Sequence, residues 1–442
     1  MNAEPPNVER RTEPEHEQRS GELRSMNGRA AVLILVCVLA AAPSAAQNLI
    51  ISNARVIVGN GSVIESGTLV VRNGRIASVG LPRAESRGAA TAAPSGARRI
   101  DGRGLTIMPG FIDAHRHIIA GNADQWLKDQ AAPRMREFLE AGYTTLLAGG
   151  GPAEGNVELK RRIDSGQLKG PRVIPAAQIN LSSGTPEQAR AELRRLVALG
   201  IRFIGEENIN PKPPTPAQLE NLKAIVDESR KVGALVMVHA VSPQAMLAAV
   251  DAGAPLLVHT PHFGWLTNED AHKVAAAGVR QLSTIAFGVP VFDVFNHDNV
   301  PTFRDGKKWP DDILDGDGRG QEAGYKAVNA RTLWDNGVVY GYGTDTGYLP
   351  VKGLAQELKA LNLMFSMPDI VKLMGPNSAA FVQMSSDIGT LEPGKVADIV
   401  AFGANPLDGY WNMLNARMVI KGGEIVVDKR ADKPLDSARG KR

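Results

Sequence analysis

The chain of 442 residues has one cysteine, Cys37. That scarcity excludes a disulfide framework. If a leader ending at Ala46 is removed, thiol nucleophiles and thiolate ligands are excluded as well, and any metal must rest on histidine and carboxylate. A strong excess of one charge is also missing: 50 Lys and Arg stand against 47 Asp and Glu, a formal net charge of +3. Nucleic-acid binding, which needs a basic excess or stripe, is therefore not expected. The apolar run from Ala30 to Ala42 is too short to span a bilayer comfortably. It follows Arg29 and leads into Pro43-Ser44-Ala45-Ala46, the pattern of a secretory signal cleaved after Ala46. A secreted or periplasmic protein without a stable membrane span is expected; the alternative is an uncleaved anchor. Residues 1–25 are polar and charged, an odd prefix for a signal, and Met26 is an alternative start.

What is present is ordinary globular composition, with 22% charged and 43% hydrophobic residues, which excludes wholesale disorder. The length suits one large α/β domain plus a smaller one. Residues 48–80 alternate in short apolar runs broken by turn signals, among them Asn73-Gly74, a strong hairpin marker. From Met108 onward, short β-like runs alternate with helical stretches of 10 to 17 residues. Eight such runs, from Phe111–His117 to Val338–Gly343, predict a (β/α)8 barrel over 108–385, with a doubly wound open sheet as the alternative. Further strands are expected at Gly389–Pro393, Ala397–Phe402 and Met418–Val427. Residues 47–107 and 386–430 then form one small composite β-sandwich domain from both chain ends, followed by a polar tail at 431–442. The long segment Ala286–Gly320 carries Phe292, Phe295, Phe303 and Trp309 and reads as a loop covering substrate.

The chemistry gathers at strand ends. His115 and His117 are two apart on a strand, so both leave the same face, toward the barrel mouth where such folds place their chemistry. Two imidazoles on one face are half a metal site. His239 and His259 end the fifth and sixth barrel strands. Asp345 follows the eighth strand, which closes against the first, so it stands beside His115 and His117 as a metal ligand and proton acceptor. The fourth strand ends Gly205-Glu206-Glu207, where one carboxylate could bridge two ions; the two glutamates have opposite parity, so only one points inward. Glu206 is in phase with Ile204 and Arg202, and Glu207 is the fallback if the strand bulges. Asp113, in phase with His115 and His117, would orient a ligand or fill the barrel. His262 and His297 lie beyond strand ends as candidate substrate contacts.

The combination of Asn53-Ala54-Arg55-Val56-Ile57, Asn73-Gly74-Arg75-Ile76, Pro109-Gly110-Phe111-Ile112-Asp113-Ala114-His115-Arg116-His117, Val238-His239-Ala240, Val258-His259, Gly343-Thr344-Asp345 and Gly389-Thr390-Leu391-Glu392-Pro393-Gly394-Lys395-Val396-Ala397-Asp398 resembles the metal-dependent amidohydrolase superfamily. The nearest branches are the imidazolonepropionase-like and Xaa-Pro-dipeptidase-like enzymes. The resemblance implies one or two divalent ions, with zinc expected: His115, His117 and Asp345 hold the first, and His239 and His259 hold the second. Many members bridge the ions with a carboxylated lysine at the end of the fourth strand. This chain has no lysine in Arg202–Glu207, Gly205 occupies that register, and a glutamate bridge favours Glu206. Arg116 between the histidines departs from the usual small or apolar residue. The expected activity is hydrolysis of a small-molecule amide, such as an N-acyl amino acid, a dipeptide or a cyclic amide. A lactonase or esterase would use the same site, and a non-catalytic metal-binding scaffold is the reading from another class. Assembly into homo-oligomers is left open.

Overall fold

The computed structural model describes residues 48–81, 96–286, 319–346 and 350–431. The expected leader and its cleavage site, His297, most of the expected covering loop and the tail beyond Ala431 lie outside the described residues. All that is described falls in one unit, Ala42–Arg442.

Five strands come first: β1 (Leu49–Ile57), β2 (Val63–Arg72), β3 (Arg75–Gly80), β4 (Arg98–Asp101) and β5 (Thr106–Pro109). Eight follow, interleaved with helices: β6 (Phe111–Arg116), β7 (Tyr143–Ala148), β8 (Arg172–Ala177), β9 (Phe203–Asn208), β10 (Leu235–His239), β11 (Leu256–Val258), β12 (Arg280–Leu282) and β13 (Val339–Gly341). Three end the chain: β14 (Ile399–Phe402), β15 (Ala416–Lys421) and β16 (Glu424–Asp428). The strands from the two chain ends share one sheet, in the order β16-β15-β14-β5-β1-β2-β3, with β4 beside β1. Its core is a separate apolar layer that includes Leu49, Ile51, Val56, Leu69, Ile107, Ile399 and Met418.

The interleaved strands make the second sheet, in strict chain order from β6 to β13, with parallel pairing throughout. The two edges meet: Ala114 N donates to Tyr342 O at 3.1 Å, and Asp345 N donates to His115 O at 2.9 Å. The result is the eight-stranded barrel with a sheet built from both ends. Side chains at alternate positions fill it, including Ile112, Ala114, Leu147, Ala176, Phe203, Met237, Leu256 and Leu282. The helices start where capping chemistry permits. Thr185 and Thr215 each cap a helix whose first residue is proline, with Gln188 and Gln218 returning the hydrogen bond. Among the described residues, no helix is long and apolar enough to cross a membrane.

Three details differ from expectation. Thr106–Pro109 pairs with β1 and β14, so the mixed sheet runs two residues past the expected boundary at 107. Gly389–Pro393 is an irregular segment of bends and a turn rather than a strand. Met418–Val427 is a hairpin that reverses at Gly422-Gly423, where both residues have positive φ.

Candidate metal centre

The mouth of the barrel collects six of the expected residues. His115, the second-last residue of β6, is fully buried. Its ring needs the missing side chain of Gly149: a Cβ there would stand 2.1 Å from His115 Nδ1. His117, one residue beyond β6, is the most open of the set, with 42% of its side chain exposed. His239 closes β10 and His259 follows β11.

Glu206 reaches the centre because β9 bulges. The ladder with β10 pairs Ile204 with Val236 and then Glu207 with Val238, so Gly205 and Glu206 together face Met237. Phe203 fills the barrel and Ile204 packs outward among the helix-layer residues. Strict alternation would therefore send Glu207 inward and Glu206 out. The bulge reverses this. Both parts of the expected phase argument thus need correction: Glu206 shares no inward phase with Ile204, and bulging selects Glu206 rather than Glu207. The bulge also explains the absent lysine. Gly205 has φ 133°, and a Cβ on it would stand 2.3 Å from Met237 O, so no side chain fits that register. Glu207 is fully buried, and its Oε1 accepts from Ile179 N at 2.9 Å.

Glu206 is the hub. Its Oε2 lies 2.6 Å from His259 Nε2, 3.1 Å from His239 Nδ1 and 3.5 Å from His115 Nε2, and its Oε1 lies 3.3 Å from His117 Nε2. Asp345 Oδ1 lies 3.2 Å from His115 Nε2 and 3.1 Å from His117 Nε2. Two groups of donor atoms result, His115, His117, Glu206 and Asp345, and Glu206, His239 and His259, each gathered within 4.8 Å. Glu206 belongs to both.

The electrostatics suit a cation. Burial would raise both carboxyls, but the surrounding imidazoles outweigh it and hold Glu206 and Asp345 below the usual carboxylate range. His117 is pulled up to about 10, first by contact with Asp345 and then by Glu206. Both ring nitrogens of His115 are buried and neither makes a hydrogen bond. A buried imidazole in that state, aimed at two ionised carboxylates, fits a divalent ion of the zinc type.

Asp113 does not fill the barrel; its Oδ1 orients the cluster from below, accepting from His115 N at 3.3 Å and Thr344 N at 3.1 Å. A register shift between Asp113 and Arg116 breaks its phase with His115. Its carboxylate also takes Arg116 Nη1 at 2.8 Å and Thr344 Oγ1 at 2.7 Å, with both Asp113 and Arg116 fully buried. Arg116 also lies 4.6 Å over the Phe138 ring. The unusual arginine is thus the anchor for the turn that presents Asp345. His262 stands apart from the cluster, with Nε2 3.6 Å from Glu322 Oε1 and its ring against Phe263. Burial, and then the charge of Lys326, push its pKa down to about 3, so it is neutral. Thr284, Lys326 and Glu357, which carry no motif, also border the site.

A parallel barrel with imidazoles and carboxylates converging at the C-terminal ends of its strands has the architecture of a metal-dependent hydrolase. The model of the amidohydrolase family matches residues 106–426, and the chain belongs to that family. An imidazolonepropionase of Geobacillus thermodenitrificans (strain NG80-2) is 26% identical over 410 residues, covering 83% of this chain and 91% of that protein. A 5-methylthioadenosine/S-adenosylhomocysteine deaminase of Symbiobacterium thermophilum is 26% identical over 415 residues, covering 81% and 86%. A solved Xaa-Pro dipeptidase with bound methionine in the active site superposes with a TM-score of 0.69 at 20% identity, covering 86% of this chain and 99% of that one; this shows the shared fold.

Proposed function

We propose that the chain is an exported hydrolase of amide bonds that works with one or two zinc ions. The observation that carries this reading is Glu206, one carboxylate shared by two groups of ligand-type donors. His115, His117 and Asp345 would hold one ion and His239 and His259 the other, both meeting Glu206; the ions would polarise the substrate carbonyl and make a coordinated water acidic near neutral pH.

The remaining work falls to the side chains. Asp345 is ionised, nearly buried and next to the two most N-terminal ligands, so it takes the proton of the attacking water and passes it to the leaving nitrogen. The Asp113–Arg116 pair holds Thr344, and so Asp345, in place. His262, uncharged at the rim, is the proposed substrate contact. Imidazolonepropionase, deaminase and dipeptidase are all names of enzymes acting on carbon–nitrogen bonds, which supports an amide over an ester. Export rests on the run from Ala30 to Ala46 and would leave a chain starting at Gln47.

A panel of N-acyl amino acids, dipeptides, cyclic amides and lactones tests the substrate class. Turnover of amides with metal supplied is expected. Turnover confined to lactones would overturn the amide assignment, and no turnover of any member with stoichiometric metal bound would favour a scaffold.

A further inference from the structure

Three successive strand ends at the mouth carry a non-glycine residue in the left-handed region: His259 with φ 67°, Thr284 with φ 44° and Asp345 with φ 55°. Two are proposed ligands. Thr284 is not, and for a β-branched residue this conformation is costly. The surroundings hold it there from three sides. Its own N donates to Gly343 O at 3.1 Å, and Lys326 Nζ donates to its carbonyl at 3.3 Å. The next two backbone groups, Ile285 N and Ala286 N, each donate to a Glu357 carboxylate oxygen at 2.9 Å. Lys326 and Glu357 are both buried.

This conformation brings the Thr284 side chain to His259. Its Oγ1 lies 2.9 Å from His259 Nδ1. The competing acceptor, Asp345 Oδ2, is 3.6 Å from that nitrogen, beyond hydrogen-bonding distance. The other ring nitrogen, Nε2, faces Glu206. An imidazole that binds a metal through Nε2 must carry its proton on Nδ1, and a fixed acceptor there sets both tautomer and ring orientation.

We propose that Thr284 is a positioning residue: its hydroxyl accepts the Nδ1–H of His259 and aims Nε2 at the ion shared with Glu206. This rests on the metal-site reading above. Three substitutions separate the hydroxyl from the backbone. Thr284→Ser keeps the hydroxyl, Thr284→Val keeps the shape without it, and Thr284→Gly removes it while relaxing the left-handed backbone. Zinc affinity is measured by competition with a chromophoric chelator, with circular dichroism as the check on folding and the absorption spectrum of the cobalt-loaded protein as a second readout. Thr284→Ser is expected to stay within about threefold of wild type. Thr284→Gly and Thr284→Val are expected to lose about tenfold to a hundredfold, with an altered cobalt spectrum. If Thr284→Val fails to fold, Thr284→Gly carries the test. Wild-type affinity in a folded Gly or Val variant would overturn the proposal, as would an equal loss in Thr284→Ser. Should the wild type itself take up neither zinc nor cobalt, the metal-site reading falls and the positioning role falls with it.

Discussion

Glu206 and His259 meet at the barrel mouth with Oε2 2.6 Å from Nε2, although their strands are separated by β10. That reach makes Glu206 the one residue common to both donor groups. Glu206→Gln should therefore lower metal content and amide hydrolysis together, with activity down about a hundredfold or more, because the proposed site would lose the charge shared by both donor groups. Glu207→Gln should stay within about threefold. Glu207 accepts from Ile179 N and stands outside both donor groups, and burial raises its carboxyl above the usual range, so an amide oxygen can take the same hydrogen bond. Metal analysis and kinetics on the two variants side by side decide this.

Gly205→Ala should disturb the site through the backbone. A Cβ at that φ meets Met237 O, so either β9 or β10 must shift. A loss of about 2 to 4 kcal/mol in urea unfolding is expected, with reduced metal content because Glu206 is re-aimed. An alanine variant as stable and as metal-rich as wild type would refute the bulge as the device that presents Glu206.

Breaking the Asp113–Arg116 pair should cost more than a surface ion pair. Arg116→Met leaves the Asp113 carboxylate buried with a lost partner, and a destabilisation of about 3 to 5 kcal/mol is expected. Denaturant unfolding checks this; a change under about 1 kcal/mol would show the pair to be dispensable.

These residues mark where the sequence was legible. His115, His117, His239, His259 and Asp345 sit at strand ends that periodicity locates, and barrel closure places β13 beside β6 without any knowledge of side chains. Bulges defeat such reasoning. One extra residue at Gly205-Glu206 inverts parity, and the shift after Asp113 decides between its two expected roles, leaving it to orient His115 and Thr344 rather than fill the barrel. Thr284 and Glu357 were invisible because their roles depend on a left-handed turn and a buried carboxyl brought from a distant helix. Nothing in local pattern signals either.

Glu357 supplies a test in pH. Burial raises its carboxyl from 4.5 to about 7. The folded state therefore keeps a proton that the unfolded chain releases. Its contribution is fully present below about pH 4.5 and is lost as pH rises through about 7. Across that window the loss is on the order of 3 kcal/mol. Urea unfolding at pH 5 and pH 8 should show the advantage of wild type over Glu357→Gln shrinking at the higher pH. An advantage that is constant or grows would contradict the assignment.

Ion uptake should release protons. Without a cation His117 titrates at about 10, held up by Asp345 and Glu206, and a ligand imidazole must be neutral. Apparent zinc affinity should thus climb from pH 6 toward pH 9, with protons appearing in weakly buffered solution during titration. Affinity independent of pH would remove His117 from the ligand set.

The central claim, metal-dependent cleavage of a carbon–nitrogen bond at the site around Glu206, is tested most directly by one preparation assayed three times on the amide panel. It is assayed as purified, after exhaustive chelation, and after zinc is restored, with metal content measured each time. The expected result is hydrolysis that disappears on chelation and returns in proportion to the ion bound, up to one or two per chain. Amide hydrolysis that persists undiminished in the metal-free protein would contradict it.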